Sequence, residues 1–219
     1  MTLIASSIGR KVAMALSGLF LIVFLTQHFT INLTSVFSET VFNKISHFMG
    51  NNPLVQFVLQ PILIFGVLFH FLMGFILEIQ NSKSRTIKYT SYKGSANAPW
   101  TSRNMILSGI VILSFLGLHF YDFWFPEMNY KYVEVLPLNP DRYFEEMIHK
   151  FKNPIRVGIY SLSFFFLALH LYHGFASSFQ SVGVNNKYSK AFKSFAVAFS
   201  IIVPLGFVFI ALFHYFKAF

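Results

Sequence analysis

The sequence predicts an all-α integral membrane protein: a single bundle of five transmembrane helices with its N-terminus in the cytoplasm. Three observations predict it: an apolar composition, five runs long enough to cross a bilayer, and basic residues gathered on one side of those runs. Of 219 residues, 55% are hydrophobic and 11% charged, where soluble domains carry roughly 25% charged residues. Mean hydropathy is +0.57, more apolar surface than a core of this size can bury, so lipid must cover the rest. Cysteine is absent, which excludes disulfides, thiolate metal ligands, iron–sulfur clusters and covalent haem attachment.

A hydrocarbon core takes about 20 apolar residues as helix. Segments at about 12–36, 54–79, 105–125, 156–179 and 192–216 qualify. The first follows Arg10 and Lys11 and superficially resembles a signal peptide, but its apolar run outlasts a signal's, so it is read as a retained helix. Pro53 and Pro154 fall near helix starts, where a missing N–H costs little. Pro61 and Pro204 fall inside helices and predict kinks. The third loop, about 126–153, is the longest, and its stretch 141–151 (DRYFEEMIHKF) predicts a short amphipathic surface helix. No repeat, low-complexity tract or second domain is evident.

The loops set the orientation. On one side lie Arg10, Lys11, Lys83, Arg85, Lys88, Lys93, Arg103, Lys187, Lys190 and Lys193, with Glu78 the only acid. The other side balances its basic and acidic residues, so the net charge of +9 sits on one face. By the positive-inside rule that face is cytoplasmic. Short loops beside membrane helices explain the basic balance better than nucleic-acid binding does.

Ionisable residues inside membrane helices are functional candidates by default. Of eight histidines, His47 and His149 fall in outer loops and His214 at the outer end of the fifth helix, which predicts solvated or interfacial side chains. His28, His70, His119, His170 and His173 lie at membrane depth. His28 is 17 residues beyond Lys11 and His119 is 16 beyond Arg103, each about 24–26 Å deep at 1.5 Å per residue. His70 and His170 each precede a glutamine, Gln80 and Gln180, by 10 residues, or about 15 Å. Two layers follow, each with one histidine from each of two helices, as two bis-histidine haems stacked along the membrane normal require. His173 competes with His170 on the fourth helix; depth matching to His70 favours His170 as the iron ligand and leaves His173 to a propionate or a carbonyl.

The first-helix pattern RKVAMALSGLFLIVFLTQH and the fourth-helix pattern LHLYHGFASSFQSVG resemble the five-helix, two-haem cytochrome b membrane anchor of succinate dehydrogenases and fumarate reductases, over essentially the whole chain. The resemblance implies two b haems, the distal held by His28 and His119 and the proximal by His70 and His170. It also implies a flavoprotein subunit, an iron–sulfur subunit, a quinone substrate of the menaquinone type, and a bacterial cytoplasmic membrane. Arg10, Lys11 and Arg103 are then candidates for the proximal haem propionates. Glu39, His47, Asn51, Gln56 and Asp122 are candidates for a distal quinone site; Trp100, Ser102 and Arg103 suit a cytoplasmic one. Competing readings are the cytochrome b anchor of another quinone-linked dehydrogenase or hydrogenase, and a transporter that relays protons through its histidines.

Overall fold

Serine and asparagine side chains punctuate the chain where its helices turn. The computed structural model describes residues 6–83, 104–184 and 186–217. Helix α1 (Ser7–Phe37) begins where the Ser6 side chain accepts from the Gly9 N–H. It ends at Ser38, whose N–H caps Thr34 and whose side chain accepts from the Val41 N–H to start α2 (Glu39–Asn51). The segment expected to be a loop carrying Glu39 and His47 is therefore a helix. Its N-cap serine satisfies an otherwise orphaned backbone donor.

The second span, α3 (Val55–Lys83), opens with a π turn over Val55–Leu59, closed by the Gln60 N–H on the Val55 carbonyl. Pro61 follows at once. A proline lacks the donor for the usual i−4 bond and crowds that carbonyl, so a locally wider register absorbs it. The same device recurs in α4 (Met105–Val133), where a π turn over Phe120–Trp124 precedes Pro126. This corrects the expected end of the third span, near residue 125: α4 runs through Pro126, and a second π turn over Asn129–Val133 finishes it. The amphipathic surface helix is present as α5 (Arg142–Phe151). Helix α6 (Pro154–Ser181) begins under an Asn153 cap, and α7 (Ser189–Lys217) holds Pro204 in its interior.

Among the described residues five helices, α1, α3, α4, α6 and α7, are long and apolar enough to cross a membrane. No strand occurs among the described residues. Helix α7 packs along α6, and α1 lies against α3, α6 and α7. Gly206 of α7 makes one of those approaches possible, since a Cβ there would fall 2.4 Å from the Phe29 ring of α1. Side chains such as Phe65 (68% exposed) and Leu162 (58%) point away from the protein, as lipid-facing residues do. Helices α2 and α5 pack on each other at one end of the bundle. Asn43 fastens them there, donating to the Asp141 carbonyl at 2.9 Å and accepting from the Phe144 N–H at 2.8 Å.

The expectation of no internal repeat is wrong. Helices α1 and α4 carry the same fifteen-residue pattern, M-x-L-S-G-x9-H, at 14–28 and 105–119. Helices α3 and α6 share H-x3-G-F, at 70–75 and 170–175, each followed by a glutamine ten residues after the histidine. Both halves run span, surface helix, span: α1–α2–α3 and α4–α5–α6. Repeats that traverse the membrane in the same sense are related by an axis along its normal, and α7 is an addition outside the pair. Composition conceals the repeat, because the positions between its fixed residues are interchangeable apolar side chains.

Candidate functional site

The repeated histidines face one another across the bundle. The His28 and His119 rings have centroids 5.7 Å apart with planes at 89°. The His70 and His170 rings are 6.3 Å apart at 68°. Each pair joins equivalent residues of the two halves, so each straddles the axis relating them. Equivalent residues about an axis along the normal share a depth, which is why counting residues from polar helix ends sorted the four histidines into two layers. Ser17, beside His70, lies eleven residues before His28 on α1, and Ser108, beside His170, lies eleven before His119 on α4. The layers are therefore about 16 Å apart along the helices.

Both pairs line one cleft of about 750 Å³ between α1, α3, α4 and α6, to which α5 adds Met147 and Phe151 and α7 adds Phe207 and Ile210. Its walls are mostly apolar, with aromatic rings against the histidines: Phe24 stacks on His28 at 5.4 Å, and Phe115 on His119 at 5.9 Å. Among the described residues no three of His, Asp and Glu gather around a common point as a metal cluster would. The histidines meet strictly in twos.

The second pair is held by a matched set of bonds. The Ser17 hydroxyl donates its hydrogen to the Met14 carbonyl (2.8 Å) and lies 3.0 Å from His70 Nδ1. The Ser108 hydroxyl donates to the Met105 carbonyl (2.8 Å) and lies 3.2 Å from His170 Nδ1. A hydroxyl has one hydrogen; with it on the carbonyl, the serine accepts from Nδ1–H in both cases, and that tautomer leaves the Nε2 lone pair of each ring for a ligand. Glycines lie next to both serines, and a Cβ there would only touch the ring: 3.4 Å to His70 Cε1 from Gly18 and 4.0 Å to His170 Cε1 from Gly109. In the first pair His119 Nδ1 is buried with no hydrogen-bond partner among the described residues.

A flat metal macrocycle between two imidazoles fits this geometry. With metal–nitrogen bonds of about 2 Å and roughly 1 Å more from nitrogen to ring centre, trans imidazole centroids stand about 6 Å apart. Both pairs have that spacing, and the orphaned His119 nitrogen and the free Nε2 positions supply the donor chemistry.

His214 is placed otherwise than expected. It is fully buried, not interfacial, with Nε2 2.8 Å from the Ser35 hydroxyl of α1. Ser35 gives its own hydrogen to the Asn32 carbonyl, so it accepts from His214, and this histidine, outside the cleft, joins α7 to α1. His149 sits in the last turn of α5. His173 and Lys11 line the cleft, toward the end opposite α2 and α5.

None of the quinone candidates Glu39, His47, Asn51, Gln56 and Asp122 lines the cleft. Asp122 is 1% exposed, ion-paired with Arg156, and accepts from the Tyr160 hydroxyl at 2.8 Å. Its carboxylate is committed to tying α4 to α6. Asn51 donates to the His47 carbonyl at 2.9 Å and to the Tyr143 hydroxyl at 3.2 Å, Gln56 donates to the Gly50 carbonyl, and Glu39 sits in the first turn of α2. Sequence reasoning missed three polar groups that do line the cleft beyond the first pair's level: Asn32, whose amide lies 3.4 Å from His28 Nε2, Gln60, and Trp124, whose buried Nε1 has no hydrogen-bond partner among the described residues. Arg103, Trp100 and Ser102 lie outside the described residues, and Arg10 lies in the first turn of α1. No family model, curated protein or solved structure matches the chain.

Proposed function

We propose that this chain is the two-haem cytochrome b membrane anchor of a succinate:quinone oxidoreductase in a bacterial cytoplasmic membrane, passing electrons between an iron–sulfur subunit and membrane quinone of the menaquinone type. One observation carries the reading: two transmembrane His–His pairs, 5.7 and 6.3 Å between centroids, stacked in a single apolar cleft. When bound, each haem supplies a one-electron couple. His28 with His119, and His70 with His170, would be the residues that hold the two groups. The two layers of histidines lie about 16 Å apart along the helices, a separation across which two such groups would exchange electrons within the bundle.

The remaining residues orient and insulate. Phe24, Phe115 and Phe207 crowd the first pair and exclude water. Lys11 and His173, at the far end of the cleft, are the groups for proximal propionates, with Arg10 and Arg103 as further cations on that side. The chain has no cysteine for clusters and no Gly-rich flavin fingerprint, so succinate or fumarate chemistry belongs to partner subunits. The basic end of the bundle, the cytoplasmic one by the positive-inside rule, is where they dock.

Purification from membranes through a tag on this chain tests the reading. A flavoprotein and an iron–sulfur protein should co-purify, and succinate should reduce the haem. Recovery of the haem-bearing chain with a hydrogenase or formate dehydrogenase subunit instead would contradict it.

A further inference from the structure

We infer that Ser17 and Ser108 are paired positioning residues that hold the His70 and His170 imidazoles in the Nδ1–H form and set the reduction potential of the haem between them. The inference rests on the two-haem reading above. Its ground is that the same bond is built twice, from equivalent positions of an internal repeat, onto the same ring nitrogen of equivalent histidines.

Each serine's own hydrogen is spent on a carbonyl three residues earlier, Met14 or Met105. The oxygen is therefore fixed in place with its lone pairs turned outward, and the only role left to it toward the imidazole is acceptor. An accepted Nδ1–H makes the ring a stronger electron donor at Nε2, which favours ferric over ferrous iron and lowers the potential. The first pair lacks this arrangement: among the described residues no serine bonds either ring, and the polar neighbour of His28 is the Asn32 amide, 3.4 Å from Nε2. Ser35 supplies an internal comparison, because it makes the same two hydrogen bonds, to the Asn32 carbonyl and with His214, but serves a histidine outside the cleft.

The test is a potentiometric titration of haem absorbance, with low-spin paramagnetic resonance spectra, on purified complexes carrying Ser17→Ala, Ser108→Ala, Ser35→Ala, and the threonine variants at 17 and 108. Both alanine variants should raise the midpoint of the same haem and perturb its low-spin signal, leaving the other haem unmoved. Threonine keeps a hydroxyl able to bond the i−3 carbonyl and should restore the wild-type midpoint. Ser35→Ala should move neither haem. Loss of that one haem in an alanine variant, reversed by threonine, supports the same role. Where an alanine variant does not assemble, cysteine, a weak acceptor of similar size, must raise the same midpoint. The inference is overturned if these variants keep both midpoints, if Ser17 and Ser108 affect different haems, or if Ser35→Ala shifts a midpoint equally. A wild-type protein without haem would instead overturn the function proposed above.

Discussion

A serine hydroxyl owns a single hydrogen, and at Ser17, Ser35 and Ser108 that hydrogen goes to a backbone carbonyl three residues earlier. What remains is an acceptor held rigidly between helices, and histidine from another helix is its partner each time. The four repeated histidines were legible in the sequence because depth can be counted from polar markers. The serines were not: a serine in an apolar helix is ordinary, and its meaning depends on a helix more than fifty residues away. The repeat also separates His170 from His173, since His70 corresponds to His170 and Met73 to His173. His170→Ala should therefore abolish low-spin ligation of the proximal haem, while His173→Ala keeps it; paramagnetic resonance of assembled protein distinguishes them. The reverse result would move that haem by almost a helical turn. Because the paired rings cross at 89° and 68°, both haems should give strongly anisotropic low-spin spectra, unlike those of parallel imidazoles.

Among the elements, the spans were the most legible part, since twenty apolar residues in a row leave few alternatives. Helix α2 was not, because a short polar stretch between two spans reads as a loop until its partner is known. That partner is α5, together with the extension of α4. Arg142 of α5 is ion-paired with Glu127 of α4 and with Glu146 (2.7 Å), and lies over the Tyr130 and Tyr143 rings at 3.9 and 4.5 Å. Burial alone would lower its pKa, but the hydrogen bonds it donates to Glu146 and Glu127 raise it above the ordinary arginine value, so it stays charged at any working pH. Lys131 completes the cluster, 2.5 Å from Glu127 and donating to the Gly50 carbonyl of α2. Arg142→Ala leaves Glu127 to Lys131 alone and the half-exposed Glu146 without its cation, and should cost about 1–2 kcal/mol, seen as a lower thermal midpoint in detergent. Both haems should survive, since the cap does not ligate them. Loss of a haem in that variant would show that the cap shapes the cleft.

At the scale of the whole molecule, two three-helix halves face each other about an axis along the membrane normal, and α7 closes one side. Equivalent histidines then pair at equal depth, and on the proposed reading both haems would lie on the axis. Orientation follows from charge. The chain has no cysteine, so single cysteines report sidedness directly. Lys190→Cys, at the start of α7, should react with an impermeant thiol reagent only after access from the cytoplasm, and Leu138→Cys, between α4 and α5, should react in intact cells. The opposite pattern would invert the topology and place the partner subunits at the α2/α5 end. The central claim is the pair of bis-histidine sites, and the most direct measurement is the number of haem b groups per chain in purified protein, repeated for His28→Ala and His119→Ala. The account predicts two haems in the wild type and loss of the same one in both variants, with the other intact. A wild-type protein with no haem, or two variants that lose different haems, would contradict it.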